Sequence, residues 1–213
     1  NMKIAILGTR GIPNNYGGFE QCAEYLSVGL VNKGHQVSVY SPDFHPYKEE
    51  SYKGVQIIKK AGLKSFLGNS ASNFIYDYIC FKDATNKDFD IILELGLITS
   101  ALSVIFCNHK NKVIVTNLDG LEWKRSKWNN LVQKITKTIE KYGVKHSDYL
   151  IADNVGIQDY IHNEYNRKSE FIAYGAFDAA TPSHNCLKEY GLVPNNYILT
   201  IARLEPENNL EMM

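Results

Sequence analysis

Residues 3–42 constrain the chain most. KIAIL (Lys3–Leu7) is a short, unbroken apolar run, the pattern of a strand buried on both faces of a parallel sheet. Phe19, Cys22, Ala23, Leu26 and Leu30 then recur at helical spacing, Gly34 supplies a C-terminal stop, and residues 36–41 (QVSVYS) alternate as a strand does. Strand, helix and strand in so short a stretch make a βαβ unit. Such a unit crosses over right-handedly and needs helices against its sheet.

The same alternation continues. Residues 43–53 are polar, contain Pro46 and read as loop, and residues 55–58 read as a short strand. A helix is expected over residues 70–86, with Phe74, Ile75, Tyr78, Ile79 and Phe81 on one face. Strands follow at 90–95 (DIILEL), 112–116 (KVIVT), 149–152 and 170–174, with helices at 98–108, 128–146 and 155–164 between them. In the helix over 128–146, Leu131, Ile135, Ile139 and Tyr142 are expected to face inward and Lys134, Lys137, Lys141 and Lys145 outward. The fold class is therefore α/β, a doubly wound, mainly parallel, Rossmann-like sheet. Residues 175–184 (GAFDAATPSH) are small, polar and Pro-containing, as linkers are. Beyond them a short helix is expected at 187–190 and a fresh strand at 197–202 (YILTIA). Residues 1–178 then form one domain, and residues 179–213 a linker and the first strand of a second.

The connection between the first strand and helix, residues 8–20 (GTRGIPNNYGGFE), is the candidate ligand cradle. It lies at the carboxyl end of a first strand, where open α/β sheets bind ligands, and Gly17 and Gly18 stand at a helix start that favours an anion such as phosphate. Its spacing is neither the dinucleotide fingerprint nor a Walker loop. The plain alternative is a long glycine-rich turn.

Composition narrows the partners. Lysines and arginines number 23, aspartates and glutamates also 23, so no global charge argues for nucleic acid. The four cysteines are widely separated, without a Cys-x-x-Cys pair, which fits a reduced, cytoplasmic setting. No apolar run reaches the ~18 residues of a membrane span, and the first strand begins too early for a signal peptide. Asp88 and Asp90 mimic a metal-binding pair but precede a buried strand, where capping explains them. No metal site is expected.

Three stretches carry a resemblance. Residues 198–209 (ILTIARLEPENN) resemble the first strand and loop of the C-terminal domain of family-four glycosyltransferases, which have the GT-B fold. Residues 8–20, and residues 119–128 (DGLEWKRSKW), resemble the rhamnosyltransferase-like branch of that family. The resemblance implies the N-terminal half of a GT-B fold and a retaining transfer of a sugar, favoured as rhamnose from dTDP-rhamnose, to a glycan or lipid-linked glycan. No cofactor or metal is implied. Arg203 matches the arginine that holds the donor diphosphate, while Asn208 stands where the family has lysine. Gly17 and Gly18 fall against the donor. Asp119 falls near a residue that contacts the transferred sugar, and a turn-capping aspartate before Gly120 is its plain alternative. Tyr16, Glu20, Trp123, Lys124 and Arg125 are assigned to the acceptor side. The aromatic and basic cluster of Trp123, Lys124, Arg125, Lys127 and Trp128 would also hold a lipid diphosphate or serve peripheral contact with a membrane surface at the cytoplasmic face. A solvated helix start with buried tryptophans explains it equally. Two other functions use the same kind of sheet: a nucleotide-sugar epimerase or dehydrogenase, and a glycan-binding module without turnover. The lack of the dinucleotide fingerprint counts against the first.

Overall fold

The computed structural model describes residues 1–15, 17–62, 69–109, 111–118, 120–121, 123, 129–176, 185–202, 204 and 208–212, the side chains of 69–71 and 185–186 excepted. It divides into two compact units, residues 1–124 with 128–174, and residues 125–127 with 175–213. In the first unit the strands are β1 (Lys3–Leu7), β2 (Gln36–Pro42), β3 (Ser51–Tyr52), β4 (Val55–Lys60), β5 (Ile91–Leu95), β6 (Val113–Leu118), β7 (Tyr149–Ala152) and β8 (Glu170–Phe171). They form one sheet in the order β3-β4-β2-β1-β5-β6-β7-β8. All pairs are parallel except β3 with β4. The helices are α1 (Gly18–Asn32), α2 (Asn69–Thr85), α3 (Ala101–Phe106), α4 (Asn130–His146) and α5 (Val155–Tyr165). This is the doubly wound α/β sheet that the alternation predicts.

Each face of the sheet has its own apolar layer. Ile4, Ile6, Val37, Val39, Leu93 and Leu95 meet Ala23 of α1 on one side. Ala5, Leu7, Tyr40, Ile92 and Ile114 meet Cys80, Phe81 and Ala84 of α2 and Val104 of α3 on the other. A third cluster joins Leu97 and Ala101 to Leu118, Val144, Leu150, Ala152, Ile157 and Ile161, between α3, α4, α5 and the β6–β7 end of the sheet. Alternation along β1 and β5 thus feeds two layers at once, as strands covered on both faces require.

Three elements differ from the sequence expectation. Within the stretch expected as loop, Ser51 and Tyr52 pair antiparallel with Gln56 and Val55. Lys53 (φ 47°) and Gly54 (φ 85°) make the turn, the double positive φ of a tight hairpin whose twist matches its strands.

In α4 the inward residues are Thr136, Glu140, Gly143 and Val144. Leu131, Ile135 and Tyr142, expected inside, are exposed. The cause is close helix approach: a Cβ on Gly143 would lie 2.4 Å from Leu97 Cδ1 and 2.9 Å from the Ala101 Cβ. There is no room for a side chain at position 143 on that face.

The third difference lies in the second unit. Its described elements are a short helix, α6 (Asn185–Glu189), and a 3-10 turn, Leu210–Met212. Residues 197–202 form no strand, and Ile198, Leu199 and Ile201 are exposed. A strand exists only through a ladder of backbone hydrogen bonds, and among the described residues no such ladder runs along 197–202.

One long-range tie fixes the far end of α4. Arg167, after α5, donates from Nη1 to the Val144 carbonyl (2.8 Å) and from Nη2 to that of Ser147 (2.8 Å). Carbonyls at a helix C-terminus lack intrahelical partners, and a guanidinium satisfies two at once.

Candidate functional site

The order of strands creates one crevice. From β1 the chain runs outward through β2 to β4, then returns to the other side of β1 and continues through β5 to β8. The switch point is between β1 and β5, and the loops leaving their carboxyl ends diverge there, as at the ligand sites of doubly wound sheets. One of those loops is the glycine-rich stretch.

Its glycines divide by role. Gly8 has φ 80°, and a Cβ there would lie 2.1 Å from the Leu95 carbonyl oxygen. Gly11 has φ 93°, and a Cβ there would lie 1.9 Å from Ser41 Oγ. These two lay the loop against the ends of β5 and β2, so their close approach is to the protein itself. Gly17 is the extended N-cap of α1, with no side chain capping the helix, and a Cβ on Gly18 would meet nothing within 4 Å. A Cβ on Gly17 would lie 3.3 Å from Glu20 Oε2, so the open space at the positive end of this 15-residue helix is the space over Gly18, where a phosphate is favoured.

Two carboxylates hold the loop in shape. Glu20 Oε1 accepts from the Arg10 amide (2.8 Å), and Glu24 Oε2 accepts from the Asn14 amide (2.7 Å). Glu24 Oε1 also accepts from the Tyr52 hydroxyl (2.8 Å), which brings in the β3 hairpin. The Phe19 ring reaches across to the turn after β5, 3.4 Å from where a Gly96 Cβ would stand. Glu20 is buried by this duty.

The remaining residues singled out in the sequence are spread more widely. Asn117 and Leu118 end β6 at the same edge of the sheet, directly ahead of Asp119. Asp119 itself, Tyr16, Lys124, Arg125 and Arg203 lie outside the described residues. Asn208 is described, exposed, in the second unit. Trp123 donates its indole N–H to the Tyr160 hydroxyl (3.1 Å) and lies 4.6 Å beneath Lys137 Nζ. Tyr160 and Tyr165 both donate to Glu140 Oε1 at 2.5 Å. Burial raises the Glu140 carboxyl above its ordinary range, and the two tyrosine hydrogen bonds pull it back. Asp88 and Asp90 are both engaged by Lys3: its Nζ meets Asp88 at 2.5 Å, and its amide donates to Asp90 at 2.7 Å.

Several polar groups at the carboxyl edge escaped sequence reasoning. Glu94, on β5, is fully buried with both carboxylate oxygens lacking a hydrogen bond. Burial first, and then the charge of Asp77 on α2, hold its carboxyl well above the ordinary range, while Ser100 opposes them weakly. The Ser100 hydroxyl is otherwise occupied, 3.1 Å from the Gly96 carbonyl and 3.2 Å from that of Leu97. Asp77 is itself buried, and desolvation pushes it to about 6 against a hydrogen bond from Thr99. His45 accepts from the Tyr47 amide at Nδ1 (3.2 Å), its Nε2 has no partner, and burial lowers its basicity. Ser41 Oγ and Asn117 Oδ1 are likewise buried without partners. Buried polar atoms are normally satisfied, so their gathering at one edge of the sheet marks it as unlike the rest of the core. The signal for Glu94 was in plain view: the single acid within the strand IILEL (Ile91–Leu95).

The fold and the crevice define a doubly wound, Rossmann-like α/β domain with an open cradle at its switch point. The chain belongs to the family described as domain of unknown function DUF1972, whose model matches residues 1–177. No curated protein matches the sequence. Among solved structures it is similar to a sucrose-phosphate synthase from Thermosynechococcus elongatus, with 15% identity and a TM-score of 0.70 over 92% of this chain and 54% of that one. It is also similar to a UDP-N-acetylglucosamine 2-epimerase from Rickettsia bellii, with 16% identity and a TM-score of 0.45 over 80% of this chain and 44% of that one. The chain thus spans about half the length of these structures. The likeness to the synthase shows the fold, a doubly wound, mainly parallel Rossmann-like sheet.

Proposed function

We propose that this chain belongs to a retaining glycosyltransferase that moves a sugar from a nucleotide-diphosphate donor to a glycan or lipid-linked glycan at the cytoplasmic face of the membrane. The observation that carries the proposal is the start of α1 at the switch point, where no side chain caps the helix and the space over Gly18 is open. A departing diphosphate concentrates negative charge there, and backbone amides at a helix N-terminus stabilise such charge without a metal. In this reading residues 1–178 are the acceptor-side domain and residues 179–213 begin the domain that grips the nucleotide. Arg203, with Asn208 beside it, meets the diphosphate, and Asp119 holds the sugar as positive charge develops on its ring. Tyr16, Glu20, Trp123, Lys124 and Arg125 line the acceptor side. The favoured donor is dTDP-rhamnose, in keeping with the motifs of residues 8–20 and 119–128.

A thermal-shift panel tests the reading, since only a ligand of the folded state raises its melting temperature. dTDP-rhamnose, UDP-sugars, NAD and free glycans are compared on the wild type and on Gly18→Val. The expected result is a shift with a nucleotide sugar that Gly18→Val removes. A shift with NAD alone points to dehydrogenase chemistry, and a shift with free glycan alone to a binding module. Either outcome overturns the proposal.

A further inference from the structure

The outward face of α4 has no role in the crevice, and its composition is unusual for a helix on a soluble core. Leu131 is 68% exposed, Ile135 51% and Tyr142 49%. At about 100° per residue, these three fall within about 40° of one another around the helix axis. Lys134, Lys141 and Lys145, all exposed, lie along one side of the stripe within about 80° of Leu131. The single carboxylate of the helix, Glu140, points inward and is consumed by Tyr160 and Tyr165. Lys137 stands apart from the face, ion-paired to Glu164 at 2.7 Å.

The outward face therefore carries apolar side chains and cations with no anion among them, on a chain whose formal net charge is zero. An acidic protein partner would need carboxylates matched one by one to three lysines on flexible stems. A fluid layer of anionic headgroups above hydrocarbon needs no such register, because lysines reach to the phosphates while leucine, isoleucine and a tyrosine ring enter the boundary. The Tyr142 ring stacks on His146, 6.3 Å away, which presents a further aromatic edge at that level.

We propose that the outward face of α4 docks this chain on an anionic lipid bilayer, with the helix lying in the plane of the surface. Leu131, Ile135 and Tyr142 enter the acyl boundary, and Lys134, Lys141 and Lys145 meet the headgroups. The inference goes beyond the donor reading, because docking is measured without any transfer and its failure leaves the cradle untouched.

Vesicle flotation of the chain is the test, with vesicles of phosphatidylcholine alone or mixed with phosphatidylglycerol, and size-exclusion chromatography alongside. The wild type is expected to float with the mixed vesicles only, and to release them as salt is raised. Lys134→Glu, Lys141→Glu and Lys145→Glu together should lower partitioning on the order of a hundredfold, from about fivefold per lysine removed at the surface. Leu131→Ser with Ile135→Ser should lower it too, while leaving its salt dependence in place. All these positions are exposed, so circular dichroism should show unchanged folding in both variants. Failure of the wild type to float overturns the proposal, as does undiminished flotation of the lysine variant. A dimer in solution that Leu131→Ser with Ile135→Ser dissolves would assign the face to a second copy instead.

Discussion

Gly8 offers the sharpest measurement of how the cradle is built. Replacing it with alanine forces an L residue to hold φ 80°, and it aims the new methyl at the Leu95 carbonyl oxygen, 2.1 Å away. The backbone conformation alone costs about 1–2 kcal/mol. Overlap with an atom of a central strand, which cannot swing aside as a side chain can, adds about 1–3 kcal/mol. The expected loss is about 2–5 kcal/mol, a large part of the ~5–15 kcal/mol that holds a typical domain together. Gly18→Ala is the internal control. Its methyl meets nothing within 4 Å, and its backbone is helical, so stability should stay within ~0.5 kcal/mol of wild type. Urea unfolding of the three proteins, followed by tryptophan fluorescence and circular dichroism, reads both differences. A Gly8→Ala loss below ~0.5 kcal/mol, or an equal loss for Gly18→Ala, would refute the division of the loop into self-packing and ligand-facing glycines.

Other substitutions separate the proposed roles. Gly18→Val should abolish sugar transfer in the complete enzyme while shifting stability by only ~1–2 kcal/mol, and normal turnover in the folded variant would sink the cradle. Arg203→Ala should weaken dTDP binding by ~1.5–3 kcal/mol, as loss of a charged hydrogen bond does, read by calorimetry. Asp119→Asn should leave dTDP affinity unchanged and lower kcat; normal kcat would return Asp119 to turn capping. Glu94 and Asp77 predict a pH effect. Both carboxyls are raised in the folded chain, so it keeps protons that the unfolded chain releases. Stability is then greatest at low pH and falls as pH climbs, for Asp77 between about 4 and 6 and for Glu94 from about 4.5 upward. Glu94→Gln should flatten the upper part of that fall and stabilise the chain at pH 8 more than at pH 4. An unchanged slope of urea midpoint against pH would mean that Glu94 titrates normally.

How much of this was legible depended on what periodicity can report. The apolar run of β1 has no alternating polar face, so its pattern left no choice but burial between two layers, and the doubly wound sheet followed. In α4 the same reasoning assigned the wrong face. Periodicity reveals that Leu131, Ile135 and Tyr142 share a side, but packing decides which side turns inward. Here the decision belonged to Gly143, which admits Leu97 and Ala101 at a distance no larger residue allows, and to Glu140, which finds two tyrosines. The β3 hairpin was missed because two residues are too short for any alternation, although Lys53 and Gly54 carried the turn. Glu94 was passed over because a single acid in a buried strand breaks no pattern of spacing. Gly17 and Gly18 were readable because an open helix start is a local matter, written in adjacent residues.

The reach of Arg167 to the end of α4 has a consequence for the order in which this half of the chain acquires structure. Until residue 167 arrives, the Val144 and Ser147 carbonyls lose the donors they have in the finished chain. The last turn of α4, the turn into β7 and the segment after α5 therefore gain protection together. On a ribosome, α4 would wait for about 20 further residues before its end is closed. In native-state hydrogen exchange these three segments should open as one cooperative unit. Arg167→Ala should free the final turn of α4 to fray while β1, β2 and β5 keep their protection.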